Sequence, residues 1–150
     1  MTTALWSGKH GVLAADNHSG SWMNVGKVFE LPEGCYLTGA GYMDDMFEVA
    51  QWLKDGGKEA KKPTLADRGD DAKDTDFIYV EPDGTAYWLT SPWLRKVPIL
   101  NTFYAIGTGD KLALAALEAG ATPAMAMKIA AKYDPDTGPK ATLVKFPIKK

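Results

Sequence analysis

The first forty residues alternate short apolar runs with turn residues. Residues 2–7 (Thr-Thr-Ala-Leu-Trp-Ser) read as a strand, and Gly8-Lys9-His10-Gly11 as a hairpin turn. Val12-Leu13-Ala14-Ala15 is a second, mostly apolar strand that ends at Asp16, and a loop is expected over Gly20 to Met23. Lys27 to Leu31 starts a third strand, and Pro32-Glu33-Gly34 makes the next turn. Cys35 to Thr38 forms a fourth, running into Gly39-Ala40-Gly41. There the period changes. Met43, Met46, Phe47, Val49, Ala50 and Leu53 make an apolar stripe at helical spacing over residues 43–54. Acids open this helix and Lys54 closes it, as the macrodipole prefers, and Gly56-Gly57 stops it.

Residues 56–75 are polar, mixed in charge and without period, and read as a long exposed loop. Phe77 to Val80 and Thr85 to Leu89 then flank Glu81-Pro82-Asp83-Gly84, a strong hairpin signal. Leu94 to Val97 and Phe103 to Ile106 read as two more strands. Gly107-Thr108-Gly109 precedes a helix over about 110–119. Thr122-Pro123, an N-cap with proline at the first helical position, opens another that runs to about Tyr133. Asp134 to Gly138 is a turn, Ala141 to Phe146 a closing strand, and the tail is basic. Strands and helices in separate blocks predict an α+β protein: antiparallel sheets with helices on their outer faces.

Composition narrows the function more than the fold. At 150 residues the chain is expected to form one domain that buries roughly two-thirds of its unfolded surface. A net charge of −2 and a pI near 5.7 argue against a general nucleic-acid binder. No apolar run approaches the ~18 residues of a membrane span, and the N-terminus lacks signal-peptide regions, so a soluble, cytoplasmic protein with no membrane partner is expected. Cys35, alone, cannot form an internal disulfide and reads as a small buried hydrophobe. His10 and His18 lie in a turn and a loop without metal-ligand spacing, so capping or exposed roles are expected and no metal or cofactor is. Trp22, Trp52, Trp88 and Trp93 read as core or interface anchors.

The chemistry begins at Thr2. An initiator methionine before a small side chain is readily removed, which would leave a threonine with a free α-amine. That residue carries both a nucleophilic hydroxyl and a base, since an α-amine titrates near ~7.7–8.0. The other candidates are ordinary when taken singly. Asp16 fits a turn or cap, Lys27 a snorkelling strand residue, and the two Gly-x-Gly segments sharp turns. Asp134-Pro135-Asp136-Thr137-Gly138 has common turn composition.

As an ordered set they resemble the proteasome β-subunit family, and within it the bacterial HslV-type peptidase subunit. Thr2-Thr3 matches the mature start of that family, and Val12-Leu13-Ala14-Ala15-Asp16 its strand ending in aspartate. Lys27-Val28 resembles its Lys-Val/Ile, and the run from Thr38 to Asp45 its Ala-Gly-x-x-x-Asp entry into the first helix. Ala105-Ile106-Gly107-Thr108-Gly109 and Lys132 to Gly138 resemble its Ala-Ile-Gly-Ser-Gly and Arg-Asp-x-x-Ser-Gly, with threonine for serine in both. The resemblance implies a four-layer αββα sandwich, the N-terminal nucleophile (Ntn) hydrolase fold. It implies Thr2 as nucleophile, Lys27 as active-site lysine held by Asp16, and Gly41 as oxyanion donor. Thr108, Asp134 and Thr137 take the supporting positions. Unfolded polypeptide is the implied substrate, a homo-oligomeric ring the implied assembly, and an ATP-dependent unfoldase a candidate partner.

The chain departs from the pattern in two places. The tract 56–75 stands where the family carries a second long helix, so a reduced first helical layer is expected, and the segment between Asp16 and Lys27 is short. A retained Met1 would block the amine. A catalytically silent structural member of the family and an Ntn amidase acting on a small amide therefore stay open beside the peptidase.

Overall fold

Strand β1 (Thr3–Ser7) is buried at every position, and so is β2 (Val12–Asp16). A strand that is apolar on both faces needs cover on both, and alternation sends successive side chains to opposite layers. Leu5, Val12 and Ala14 face helices, whereas Ala4, Trp6, Leu13 and Ala15 face a second sheet. These two strands thus lie at the centre of a layered molecule.

The computed structural model describes residues 2–19, 23–66 and 74–148. After β2, the short strands β3 (His18–Ser19) and β4 (Met23–Asn24) pair with each other. Then follow β5 (Val28–Glu30), β6 (Tyr36–Ala40), α1 (Met43–Lys54), β7 (Asp76–Val80), β8 (Ala86–Thr90) and β9 (Val97–Pro98). The chain continues with β10 (Phe103–Gly107), α2 (Asp110–Glu118), α3 (Pro123–Tyr133) and β11 (Ala141–Lys145). One antiparallel sheet has the order β10-β1-β2-β11 and the other β5-β6-β7-β8-β9. Their facing sides meet through Ala4, Trp6, Leu13, Ile78, Val80 and Ile106. Helices α2 and α3 cover the outer face of the first sheet with Ala113, Leu117, Ala126, Met127 and Ala130. Helix α1 covers the second with Met46, Val49 and Ala50 on Leu37, Phe77 and Leu89. The four layers are the expected αββα order.

Local signals explain most of these elements. The Thr122 hydroxyl accepts from the Met125 N–H at 3.2 Å, the cap predicted for α3. The 81–84 turn closes with the Gly84 N–H on the Glu81 carbonyl at 2.9 Å, and Gly84 supplies the positive φ of 87°. Trp6 and Tyr36 meet Phe146 edge-on at 5.7 and 5.6 Å, closing the end of the sandwich remote from Thr2.

Several expectations need correction. Leu94 to Val97 is not a strand. Leu94 has φ 51°, its N–H bonds the Thr90 carbonyl at 2.8 Å, and its side chain is buried. A turn residue anchored in the core gives the same apolar signature as a strand residue, so only Val97–Pro98 pair with β8. Met23 belongs to a strand rather than to the loop expected over Gly20 to Met23, of which residues 20–22 lie outside the described residues. The reading of Trp22 lies outside them too. Trp93 is no core residue, being 68% exposed. Trp52 and Trp88 are half-buried.

The outer layer over the second sheet holds α1 and, among the described residues of the 56–75 tract, a single 3₁₀ turn at Glu59–Lys61. A cavity of about 340 Å³ remains beside the end of α1, lined by Trp52, Tyr79 and Lys96 among others. Cys35 is buried there and accepts the Tyr79 hydroxyl at 3.2 Å. His10 caps its own turn, where its Nδ1 lies 2.8 Å from the Ser7 hydroxyl. No helix among the described residues is long and apolar enough to cross a membrane.

Candidate active site

Antiparallel pairing decides which residues meet. Thr3 lies opposite Gly107, Ala4 opposite Ala15, and Ala141 opposite Asp16. The start of β1, the end of β2, the end of β10 and the turn before β11 therefore share one end of the first sheet. The candidates Thr2, Asp16, Thr108, Asp134 and Thr137 are carried there from positions up to 135 apart in sequence.

Asp16 is the hub. It is fully buried, and both of its oxygens are engaged. Oδ1 accepts from the Thr2 hydroxyl and from the Thr3 N–H, the latter at 2.9 Å. Oδ2 accepts from the Gly138 N–H at 2.9 Å and pairs with Lys27 Nζ at 3.8 Å. One carboxylate thus holds the proposed nucleophile on one oxygen and a cation on the other. Lys27 is 98% buried, and the Thr38 hydroxyl donates to its carbonyl at 2.7 Å, fixing the backbone from which it projects. Burial pulls its ammonium below the usual lysine range, against the opposing charge of Asp16. A lysine so placed gives up its proton more readily than an exposed one.

A second carboxylate organises the neighbouring hydroxyls. Asp134 Oδ2 accepts from Thr108 at 2.6 Å and from Thr137 at 2.5 Å, and its Oδ1 from the Asp136 N–H at 3.2 Å. With the Thr137 proton committed to Asp134, the Thr3 hydroxyl donates to Thr137 across 2.6 Å. This chain links both carboxylates through consecutive residues of the N-terminus, because Thr2 reaches Asp16 and Thr3 reaches Thr137. Thr108 also clamps Thr2, donating its N–H to the Thr2 carbonyl at 2.9 Å.

The glycines here make room for that packing. A Cβ on Gly107, which has φ 99°, would overlap the Thr2 carbonyl oxygen. The same Cβ would lie 3.2 Å from the Ala40 Cβ, which brings the end of β6 beside Thr2. Gly41 itself has φ 138°.

Burial raises the Asp134 carboxyl, but hydrogen bonds from Thr108, Thr137 and the Asp136 N–H outweigh it and leave the group below the usual aspartate range. A depressed native value stabilises the fold above the unfolded value of about 3.9, and that contribution is lost as the pH falls through the native value. The urea midpoint of the wild type is therefore expected to fall more steeply below about pH 4 than that of Asp134→Asn. Equal acid limbs would show that Asp134 does not drive the loss.

Six of the seven expected site residues join these networks, and Gly41 lies at their margin. Thr75 escaped the sequence reading, and Thr3 and Asp45 entered it only inside the matched runs Thr2-Thr3 and Thr38 to Asp45, with no site role of their own. Nothing in the local sequence marks Thr75.

No protein-family model matches the chain, and no curated protein does. Solved structures do. The chain is similar to Thiobacillus denitrificans BPH, with 15% identity, a TM-score of 0.71 and 99% of each chain covered. It is similar to the same protein in complex with epoxomicin, with 15% identity, a TM-score of 0.67 and 100% of each covered. It is also similar to the eukaryotic HslV of Trypanosoma brucei, with 15% identity, a TM-score of 0.66, and coverage of 95% of this chain and 98% of that one. At such identity the likeness speaks to fold. The chain has the mixed α+β, αββα fold of HslV- and proteasome-type Ntn hydrolases.

Proposed function

We propose that this chain, once Met1 is removed, is a threonine peptidase of the HslV and proteasome type that hydrolyses unfolded polypeptides within a homo-oligomeric ring. The observation that carries the reading is the Asp16 carboxylate, with the Thr2 hydroxyl on one oxygen and Lys27 on the other. Thr2 Oγ attacks the scissile carbonyl carbon, and the α-amine freed by Met1 removal takes the hydroxyl proton, directly or through one water. Lys27, kept charged and oriented by Asp16, lowers the cost of forming the alkoxide. The Gly41 N–H receives the oxyanion, a contact for which one donor contributes roughly 3–4 kcal/mol. Collapse breaks the C–N bond, and the α-ammonium returns its proton to the leaving amine. Water, deprotonated by the same amine, then hydrolyses the ester and restores Thr2. The Asp134 cluster holds Thr2 through Thr108 and Thr3 through Thr137, which aims the amine.

One observation favours a second reading, a silent structural member of the fold. In the chain that carries Met1, the Thr2 nitrogen is a peptide amide and Thr2 is 1% exposed. In that form the α-amine that serves as base is absent and Thr2 is closed to substrate. Intact mass of the purified assembly, paired with fluorogenic-peptide hydrolysis, separates the two. Loss of one methionine together with turnover is expected. Complete retention of Met1 in the assembled protein would sink the peptidase and leave the silent reading.

A further inference from the structure

Gly41 has two neighbours that the scheme above does not use. Thr75 packs directly against its Cα: a Cβ built there would fall 2.7 Å from Thr75 Oγ1 and 2.8 Å from the Thr75 Cα. The next amide, the Tyr42 N–H, donates to the same Thr75 Oγ1 at 3.2 Å. The Thr75 hydroxyl in turn donates to Asp45 Oδ2 at 2.6 Å, and Asp45 is buried. Thr75 is itself tied to the end of the second sheet. Its N–H donates to the Ser91 hydroxyl, and the Ser91 N–H to its carbonyl, both at 3.0 Å.

This arrangement is a capping box with a relay. Tyr42 is the N-cap of α1, its side chain makes no capping bond, and Asp45 stands at the third helical position. In the ordinary box a glutamate at that position reaches back to the N-cap N–H. Aspartate is one methylene shorter, and the Thr75 hydroxyl bridges the gap. Because Asp45 takes the hydroxyl proton, Thr75 Oγ1 presents only lone pairs to the Tyr42 N–H. The relay grips Gly41 from its Cα face and from its following amide.

We propose that Thr75 and Asp45 are positioning residues that set the orientation of the Gly41 peptide for oxyanion binding, a role that rests on the peptidase reading. Thr75→Val keeps the shape and removes the hydroxyl, and Thr75→Ser restores it. For the Met1-free enzyme, T75V is expected to lower kcat for a fluorogenic peptide roughly tenfold, with KM within about twofold, since a misaimed donor costs less than a deleted one. T75S is expected to recover most of that loss. Inactivation by a peptidyl vinyl sulfone, which acylates nothing and forms no tetrahedral oxyanion, is expected to stay within about twofold in T75V. Unchanged kcat, or equal slowing toward both reagents, would overturn the assignment, the latter by placing the defect at Thr2.

Hydrogen exchange at the Tyr42 amide tests the relay without turnover. Protection is expected in the wild type and T75S and a loss of about tenfold in T75V. Wild-type exchange in T75V overturns the relay. If the wild type hydrolyses nothing, the peptidase reading fails while exchange still decides the relay. If T75V does not fold, Asp45→Asn, which keeps an acceptor but no charge, replaces it. Intermediate protection supports the relay, and wild-type protection overturns it.

Discussion

Thr2→Ala in the Met1-free protein is expected to lower peptide hydrolysis by at least roughly 10³-fold while leaving the fold intact. The alanine side chain has no oxygen to attack with, and no neighbouring hydroxyl replaces it. The Thr3 hydroxyl is committed to Thr137, and the Thr108 hydroxyl to Asp134. The structural cost is limited, because Asp16 keeps the Thr3 N–H, the Gly138 N–H and Lys27 after the Thr2 hydroxyl is gone. One lost hydrogen bond to a charged group costs about 1.5–3 kcal/mol, a Tm shift of roughly 3–12 °C for a chain of this size. Thr2→Ser keeps the oxygen and is expected to remain active within about tenfold. The comparison needs kcat/KM on a fluorogenic peptide, a melting curve and the intact mass of each variant. Activity in T2A near that of the wild type would remove Thr2 as nucleophile whatever the mass shows.

Asp16→Asn is expected to be the most damaging near-isosteric change to stability. The carboxylate accepts on both oxygens: from two donors at Oδ1, and from an N–H and the Lys27 ammonium at Oδ2. Asparagine offers one oxygen and one NH₂, so in either orientation its NH₂ faces groups that are also donors. The charge that compensates buried Lys27 disappears with it. Breaking a buried pair from one side costs ~3–5 kcal/mol, which for a domain of this length lowers Tm by roughly 6–20 °C. Activity falls as well, because Lys27 loses its anchor and the Thr2 hydroxyl its acceptor. Urea unfolding gives the direct measure, as a lower midpoint with unchanged slope. A midpoint equal to the wild type would show that the Asp16 network adds nothing to the fold.

Much of this architecture is legible from local chemistry. Glu81-Pro82-Asp83-Gly84 forms its turn because glycine supplies the conformation the closure needs, and Thr122-Pro123 caps α3 for reasons contained within four residues. The helical stripe from Met43 to Leu53 is read nearly as directly, since spacing sets the face that buries Met46, Val49 and Ala50, but Phe47, expected in that stripe, stays 53% exposed. Leu94 fails for an equally physical reason. Burial is what hydrophobicity reports, and a turn residue pinned in the core is as apolar as a strand residue. Of the site, the residues matching the family pattern stand out in the sequence, Thr3 among them but without a role of its own, whereas Thr75 does not. Thr75 sits in a polar tract with no period, and its partner Asp45 lies 30 positions away.

The sequence by itself determined the order of the main strands and helices, the apolar character of β2, and the supply of chemistry: a threonine at position 2, two aspartates, a lysine, and glycines where backbone must come close. Those follow from alternation, helical period and turn conformation, which act over a few residues. Only the tertiary structure decided that the Asp16 carboxylate is divided between Thr2 and Lys27, that Thr3 joins the Asp134 hydroxyls through Thr137, and that Thr75 braces Gly41. Hydrogen bonds act over about 3 Å and in fixed directions. Groups separated by 11 to 134 positions in the chain acquire partners only once sheet register has brought their strand ends together.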